Sequence, residues 1–147
     1  MKKKIIDIAK AKVQQRLDEA TKAMEAAQSA ANEDTKSSAG DKFETSRAMA
    51  HNDLNLYKRQ WHEAQLDMNI LEIIDPEKTF KLVTNGSLVK TEIGLFFFCI
   101  SIGVINLDKQ KVMVASLASP MGEALKGKKA GEKFEFRGKT ISVQSVN

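Results

Sequence analysis

The sequence predicts an α+β protein in which an N-terminal antiparallel helical coiled-coil hairpin precedes a small antiparallel β-sheet domain with one short helix. Three observations carry this prediction: a Pro- and Gly-free stretch with a regular apolar stripe, a second stretch with a matching stripe, and a change of pattern after Pro76. The 147 residues are 42% hydrophobic and 29% charged, as in an ordinary globular protein. We therefore expect a hairpin domain over 1–75 and a sheet domain over 76–147.

Each helical stretch carries apolar residues at alternating intervals of about four and three. In the first stretch, where Lys10 fills one step, these are Ile6, Val13, Leu17, Ala20, Met24, Ala27 and Ala31. In the second stretch they are Ala50, Leu54, Tyr57, Trp61, Ala64, Met68 and Leu71. This spacing keeps one face of a helix toward a partner helix. Because the connection is short, the helices run antiparallel, and the alanines near it predict a slender end.

After Pro76 the sequence becomes β-branched, aromatic and punctuated by glycine, which favours strands. Strands are predicted at 80–83, 88–91, 95–102, 111–116, 133–137 and 140–146. Gly138 separates the last two as a hairpin. Phe96–Phe98 alternate between the faces of their strand. Either both faces are covered, or part of this run is a docking surface.

A short helix is predicted between the fourth and fifth strands. Ser119 and Pro120 open it, because proline is well placed in a first helical turn, and the helix continues through Leu125. Gly127 closes it. The sheet domain is therefore interpreted as an α+β module.

Composition and charge exclude several classes of protein. The pI is about 9.1, but only Lys126, Lys128 and Lys129 cluster and no stacking aromatics accompany them, so direct sequence-specific DNA binding is not expected. Cys99 is the single cysteine, which excludes a disulfide framework and fits the cytoplasm. The apolar run at 95–105 is shorter than the roughly 20 residues of a membrane-spanning helix. We expect no membrane partner.

Two carboxylates lie in the acidic tip loop predicted at 33–44. Asp41 and Glu44 follow Gly40 with the spacing of a capping box, in which Asp41 is the N-cap and Glu44 the third helical residue. The same carboxylates are hard oxygen ligands that could be carried to a metal ion in another macromolecule. Glu33 and Asp34 add acids on the other side of the loop, for which capping has no use. Both interpretations stay open, because one carboxylate can cap a helix and later bind metal.

The stretch Val114–Phe134, VASLASPMGEALKGKKAGEKF, resembles the C-terminal signature of the Gre (GreA/GreB) transcript-cleavage factors. That signature has a strand, Ser-Pro, a small residue, Ala-Leu, Gly-Lys and a Gly-acid turn. Its counterparts here are Ser119-Pro120, Gly122, Ala124-Leu125, Gly127-Lys128 and Gly131-Glu132. The Gre loop motif Gly-Asp-x-x-Glu is matched by Gly40, Asp41 and Glu44. The resemblance covers the whole chain in architecture, and in motif the last third and the loop.

This resemblance implies an FKBP-like sheet domain and a transcription elongation factor that binds bacterial RNA polymerase through its secondary channel. Asp41 and Glu44 would direct a second Mg²⁺ to the nascent RNA 3′ end, with Glu33 and Asp34 as helpers. The polymerase itself would cleave the RNA, so the protein is expected to be no enzyme and to hold no metal or cofactor of its own, the Mg²⁺ being shared. The head residues implied in partner binding are Ser119, Pro120, Gly122, Leu125 and Lys128.

The tip departs from the family pattern at two places. Arg47 stands where the family has an acid, and Phe43 where it has a small polar residue. An alternative of the same fold is therefore a secondary-channel regulator without cleavage activity. Two more remote alternatives are an FKBP-like prolyl isomerase or chaperone and a structural coiled-coil adaptor.

Overall fold

The computed structural model describes residues 1–34 and 40–147, and the side chains of 33, 34, 40–44 and 46 are outside its description. Its elements in chain order are α1 (Lys2–Asp34), α2 (Gly40–Glu72), β1 (Leu88–Thr91), β2 (Gly94–Phe98), β3 (Gly103–Leu107), β4 (Gln110–Ala115), α3 (Pro120–Leu125), β5 (Lys133–Phe136) and β6 (Lys139–Val146). This confirms the predicted fold class of a helical hairpin followed by a small β domain with one short helix. None of the described helices is both long and apolar enough to cross a membrane.

Packing divides the chain into two compact units. The hairpin unit is Lys10–Asn69, and the sheet unit combines Met1–Ala9 with Ile70–Asn147. The N-terminal end of α1 and the C-terminal end of α2 therefore pack with the sheet. The domain boundary near residue 76 stays a prediction.

Within the hairpin unit the two helices run antiparallel. The Arg16 Nη1 atom lies 2.8 Å from Asp67 Oδ2, which pairs an early turn of α1 with a late turn of α2. A cleft of about 410 Å³ is lined by residues of both helices, as expected for an antiparallel pair. The α1 residues are Arg16, Glu19, Ala20 and Ala23, and the α2 residues are Tyr57, Gln60 and Glu63. Each helix has 33 residues, which at a rise of about 1.5 Å per residue makes it roughly 50 Å long.

The predicted seam of the hairpin is confirmed. Its members are buried or half-buried, whereas the residues between them are mostly exposed. The buried seam residues nearest the loop are Ala27 and Ala50, and farther from it they include Val13, Leu54 and Met68. Small side chains allow close approach of two helices, and the slender end that the sequence predicts near the loop stays a prediction.

The sheet unit contains a six-stranded sheet with the order β3-β4-β2-β1-β6-β5. Four of its five strand pairs are antiparallel, but β2 and β4 are parallel. The predicted all-antiparallel sheet is therefore wrong at this pair. After β2 the chain reverses and leaves a gap beside that strand. The hairpin of β3 and β4 then turns back so that β4 fills the gap.

Two strand predictions are wrong. The predicted strand at 95–102 ends at Phe98, and Gly103, at φ +102°, begins the missed strand β3. A two-residue turn of Asp108 and Lys109, both at positive φ, joins β3 to β4; two positive φ values are the requirement of a type I′ hairpin turn. The predicted strand at 80–83 is only an isolated bridge between Leu82 and Lys129.

Both faces of the sheet are covered at its centre. Phe96 and Phe98 belong to a core cluster with Leu125 of α3. Phe97 points to the opposite face, and its exposed fraction is 0%. Ile5 and Leu71 are also fully buried in this unit, so we infer that the helix ends cover this second face. Of the two alternatives for the Phe run, burial on both sides is the correct one.

Candidate functional site

The end of the hairpin holds the predicted carboxylates. Glu33 and Asp34 are the last two residues of α1, and Asp41 and Glu44 lie in the first two turns of α2. The side chains of all four lie outside the described residues, as does the chain from 35 to 39. The backbone therefore brings two acidic positions to the end of one helix and two to the start of the next.

The bounds of α2 bear on the capping interpretation. The helix begins at Gly40, which makes Asp41 its second residue, whereas a capping box places Asp41 before the helix. A carboxylate in the first turn is still favoured by the positive end of the helix dipole. Glu33 and Asp34, in contrast, lie at the negative end of α1, whose last turn contains no basic residue. Helix stability gives no reason for acids there.

Residues after this acidic cluster are exposed. The exposed residues are Thr45, Arg47, Ala48 and Met49. The exposed fraction of Met49 is 62%. The guanidinium of Arg47 is therefore exposed. This cation follows Glu44 by three residues, which is one helical turn.

The loop before α3 is held by hydrogen bonds of a serine hydroxyl group. Ser119 is the N-cap of α3: its Oγ accepts a hydrogen bond from the Gly122 amide at 3.1 Å and donates one to the Ser116 carbonyl at 2.6 Å. Pro120 occupies the first helical turn, where its missing N–H costs nothing. This confirms the predicted start of α3.

Gly122 allows a close approach between α3 and this loop. A Cβ atom at this position would meet the Ser116 carbonyl oxygen at 2.4 Å and the Leu117 Cα and carbonyl oxygen at 2.5 Å. These neighbours are backbone atoms and cannot rotate away. Gly122 is therefore required by packing, whatever binds outside.

A second loop follows α3 and is hydrogen-bonded to the segment before β1. The Gly127 amide donates to the Val83 carbonyl at 3.0 Å, and the Val83 amide donates to the Lys128 carbonyl at 3.0 Å. Farther along, the Gly131 amide donates to the Val143 carbonyl at 2.8 Å. The Gly-Lys and Gly-acid positions of the signature thus hold the two ends of one ordered loop.

The five predicted partner-binding residues of the head divide by exposure. Gly122 and Leu125 are buried, so they shape the surface without contributing side chains to it. Ser119 is half-buried and its hydroxyl is occupied by the cap. Pro120 is exposed and Lys128 is half-buried. Partner binding by these residues stays a prediction, and Pro120 and Lys128 are the two that can act by direct contact.

Aromatic residues of the head lie mainly in its core. Phe96, Phe98 and Phe134 are 6%, 0% and 4% exposed. A prolyl isomerase would need such rings as the walls of an apolar cavity, and these three fill the interior instead. Among the described residues, no three or more His, Cys, Asp or Glu side chains are grouped as metal ligands.

Lys2 is a buried lysine whose contacts the sequence does not indicate. Its Nζ donates to the Lys78 carbonyl at 2.7 Å and lies 5.1 Å from the centre of the Phe80 ring. Burial lowers the pKa of Lys2, and the nearby Asp75 carboxylate opposes that shift. The contact joins positions 76 residues apart, so no local pattern could have revealed it.

No protein-family model matches the chain, and no curated protein does. Among solved structures, the chain is similar to one described as the structure of the transcription factor Gfh1. The identity is 18% and the TM-score 0.38, over 95% of this chain and 93% of that one. At this identity and TM-score the similarity adds nothing to an assignment of function, which depends on the residues of this chain.

Proposed function

We propose that this protein is a Gre-like transcription elongation factor that enters the secondary channel of bacterial RNA polymerase and stimulates cleavage of backtracked RNA. One observation carries the proposal: a hairpin of two 33-residue helices brings two acids at the end of α1 together with the Gly-Asp-x-x-Glu motif at the start of α2. The acids at the end of α1 oppose the helix dipole. A role outside the helix accounts for them.

The chemistry of the proposed tip is ligand delivery. Phosphodiester hydrolysis by two metal ions needs oxygen ligands that hold the second Mg²⁺ and its water near the scissile phosphate. Asp41 and Glu44 supply such ligands, and Glu33 and Asp34 add negative charge beside them. The polymerase provides the remaining ligands and performs the cleavage, so the Mg²⁺ is shared and the factor is not an enzyme alone.

The small seam residues near the loop support this use. Ala27 and Ala50 are the buried seam residues nearest the loop, and side chains this small would let the helices approach closely there. A slender pair of helices suits entry into a narrow channel. In this proposal the head stays at the rim and contacts the polymerase through the exposed Pro120, in the cytoplasm.

The test is RNA cleavage in stalled, backtracked bacterial polymerase complexes supplied with Mg²⁺. Wild-type protein is expected to shorten the RNA, and Asp41→Ala/Glu44→Ala is expected to abolish the stimulation while still competing with a known channel-binding factor. Asp53→Ala/Glu63→Ala, which removes two acids from α2 away from its start, is the matched control. Equal stimulation by wild type and the tip variant would contradict the proposal.

Arg47 favours a second candidate, a channel-binding regulator without cleavage activity. Its guanidinium is exposed one turn after Glu44 and would lower the negative charge available to a metal ion. If this candidate is correct, wild type competes for the channel without shortening the RNA. The variant Arg47→Glu, in contrast, gains stimulation of cleavage. Stimulation by wild type would exclude this candidate.

A further inference from the structure

Five lysines lie on two segments of the sheet unit that are joined by backbone pairing; together we call them the lysine surface. They are Lys81, Lys126, Lys128, Lys129 and Lys133. The isolated bridge pairs Leu82 directly with Lys129, so Lys81 adjoins the run that follows α3. Lys133 then begins β5, which is an edge strand of the sheet.

The backbone beneath this surface is fixed. Every amide from 126 to 129 donates a hydrogen bond within the fold: Lys126 to the Gly122 carbonyl at 2.8 Å, Gly127 to the Val83 carbonyl at 3.0 Å, Lys128 to the Leu125 carbonyl at 2.9 Å, and Lys129 to Glu132 Oε1 at 3.1 Å. These amides are not available to a ligand. Any ligand therefore meets the lysine side chains, held on a preformed loop.

No lysine of this surface forms an ion pair in the described part of the chain, although Lys133 has the Glu92 carboxylate as an electrostatic neighbour. Lys81, Lys126, Lys129 and Lys133 are exposed, and Lys128 is half-buried. In the described part of the chain, the ion pairs are Lys4 with Asp108 and Arg16 with Asp67, neither of which involves the lysine surface. The acid nearest in sequence is Glu132, and one of its oxygens accepts the Lys129 amide.

The sheet unit as a whole is also positively charged, whereas the hairpin unit is not. The sheet unit contains 14 Lys and Arg against 9 Asp and Glu, whereas the hairpin unit contains 9 against 10. The positive excess of the protein thus belongs to the sheet unit. A polyanion would be attracted to this unit and not to the hairpin.

We propose that the lysine surface binds the phosphodiester backbone of nucleic acid without reading its sequence. Lysine ammonium groups act as point charges for phosphates, and such contacts carry no base information. Nearby rings are not available for stacking on bases. Phe134 is buried, and Phe136 packs against the core and carries the Arg137 guanidinium 5.1 Å from its ring centre. The half-buried Phe80 has the ammonium groups of Lys2 and Lys78 over its ring. An acidic protein is the less suitable partner, because lysine is depleted at protein–protein interfaces.

This activity goes beyond the proposed function and does not depend on it. The binding belongs to the protein alone and requires neither polymerase nor the tip carboxylates. It can therefore succeed or fail independently of RNA cleavage.

The test is fluorescence anisotropy of a labelled duplex DNA and a labelled single-stranded RNA, titrated with the full chain over a series of NaCl concentrations. Wild type is expected to bind with an affinity that falls steeply as salt rises. Lys126→Gln/Lys128→Gln/Lys129→Gln is expected to reduce the slope of log K against log salt by about one per lysine on the duplex. The slope change should be smaller on the single strand, where each phosphate contributes about 0.7 instead of about 0.9.

A matched control removes the same charge from the hairpin unit. Lys12→Gln/Lys22→Gln/Lys58→Gln replaces three exposed lysines there and should leave the slope nearly unchanged. Lys126→Gln/Lys129→Gln, which spares the half-buried Lys128, covers the case of a misfolded triple variant and should lower the slope by about two.

Three results would overturn the inference. They are the absence of salt-dependent binding by wild type, an equal loss in the control variant, and binding of polyglutamate at least as tight as that of DNA at equal charge. The last result would assign the surface to an acidic protein.

Discussion

The hairpin unit and the sheet unit differ in the sequence separation of the residues that determine their structure. In the hairpin, a residue and its neighbours within two turns determine which face is buried, as the seam from Val13 to Met68 shows. In the sheet unit, the parallel pair of β2 and β4 and the bridge of Leu82 with Lys129 depend on residues far apart in sequence. The hairpin therefore tolerates changes that keep its pattern, whereas the sheet unit depends on individual side chains.

Leu125→Ala should cause the largest loss of stability in this comparison. The side chain is 0% exposed and lies in the core cluster with Phe96 and Phe98, so its removal leaves a cavity that should cost about 3 kcal/mol. Amide hydrogen exchange of peptides from β1 to β6 would measure this cost separately from that of the helices.

Leu54→Ala in the hairpin is the matched comparison. Leu54 is 9% exposed and lies between two helices rather than in a closed core, so the expected loss is smaller, about 2 kcal/mol. The exchange of peptides from α1 and α2 reports it, together with the fluorescence of Trp61, the single tryptophan. A larger loss at Leu54 than at Leu125 would reverse the comparison.

Gly122→Ala should come next in size. The added Cβ would collide with backbone atoms of Ser116 and Leu117, and relief requires α3 to shift, at a cost of about 2 kcal/mol. Urea unfolding would measure it.

Gly127→Ala separates collision from backbone strain. A Cβ there meets nothing within 4 Å, but φ is +76°, so the cost should be only about 1 kcal/mol. If both substitutions cost the same, the close approach at Gly122 would be irrelevant to stability.

Glu92→Gln should have the smallest effect, visible only as a change with pH. Hydrogen bonds from Ser142, from its side chain first and its backbone amide second, lower the pKa of Glu92 below 4.5; the amide lies 2.9 Å from Oε1. The ionised form is thus favoured by folding, and this stability is present above the unfolded pKa and lost as pH falls through the folded pKa. The gap in unfolding midpoint between wild type and variant should be widest at neutral pH and should shrink below pH 4.5. A gap that stays constant over this range would argue against the hydrogen bonds.

Local patterns predicted most of the fold. The two helices, their seam, α3 with its Ser119 cap and the hairpin at Gly138 all follow from residues close in sequence. The strand β3 was missed because Asp108-Lys109 is an uncommon pair for a turn with two positive φ values. The alternation of Ile105 and Leu107, both buried, with exposed Val104 and Asn106 was the signal available.

The candidate sites were predictable to a smaller extent. The Gly-Asp-x-x-Glu motif is a local pattern, and its placement at the start of α2 follows from the helix bounds. The burial of Gly122 and Leu125 could be expected from packing, but the bridge between 82 and 129 could not. Neither could the contact of Lys2 with the Lys78 carbonyl, because pairings of distant segments are not encoded in either segment alone.

The central claim is that the tip supplies metal ligands to the polymerase while the head provides docking, and the most direct test is the cleavage rate measured against protein concentration. We expect Asp41→Ala/Glu44→Ala to abolish the maximal rate and leave the half-maximal concentration for channel occupancy unchanged. Pro120→Asp, which adds a charge to an exposed position of the α3 start, should raise the half-maximal concentration about tenfold, equivalent to about 1.4 kcal/mol, and leave the maximal rate intact. The opposite assignment of the two effects, or no stimulation by wild type at any concentration, would contradict the account.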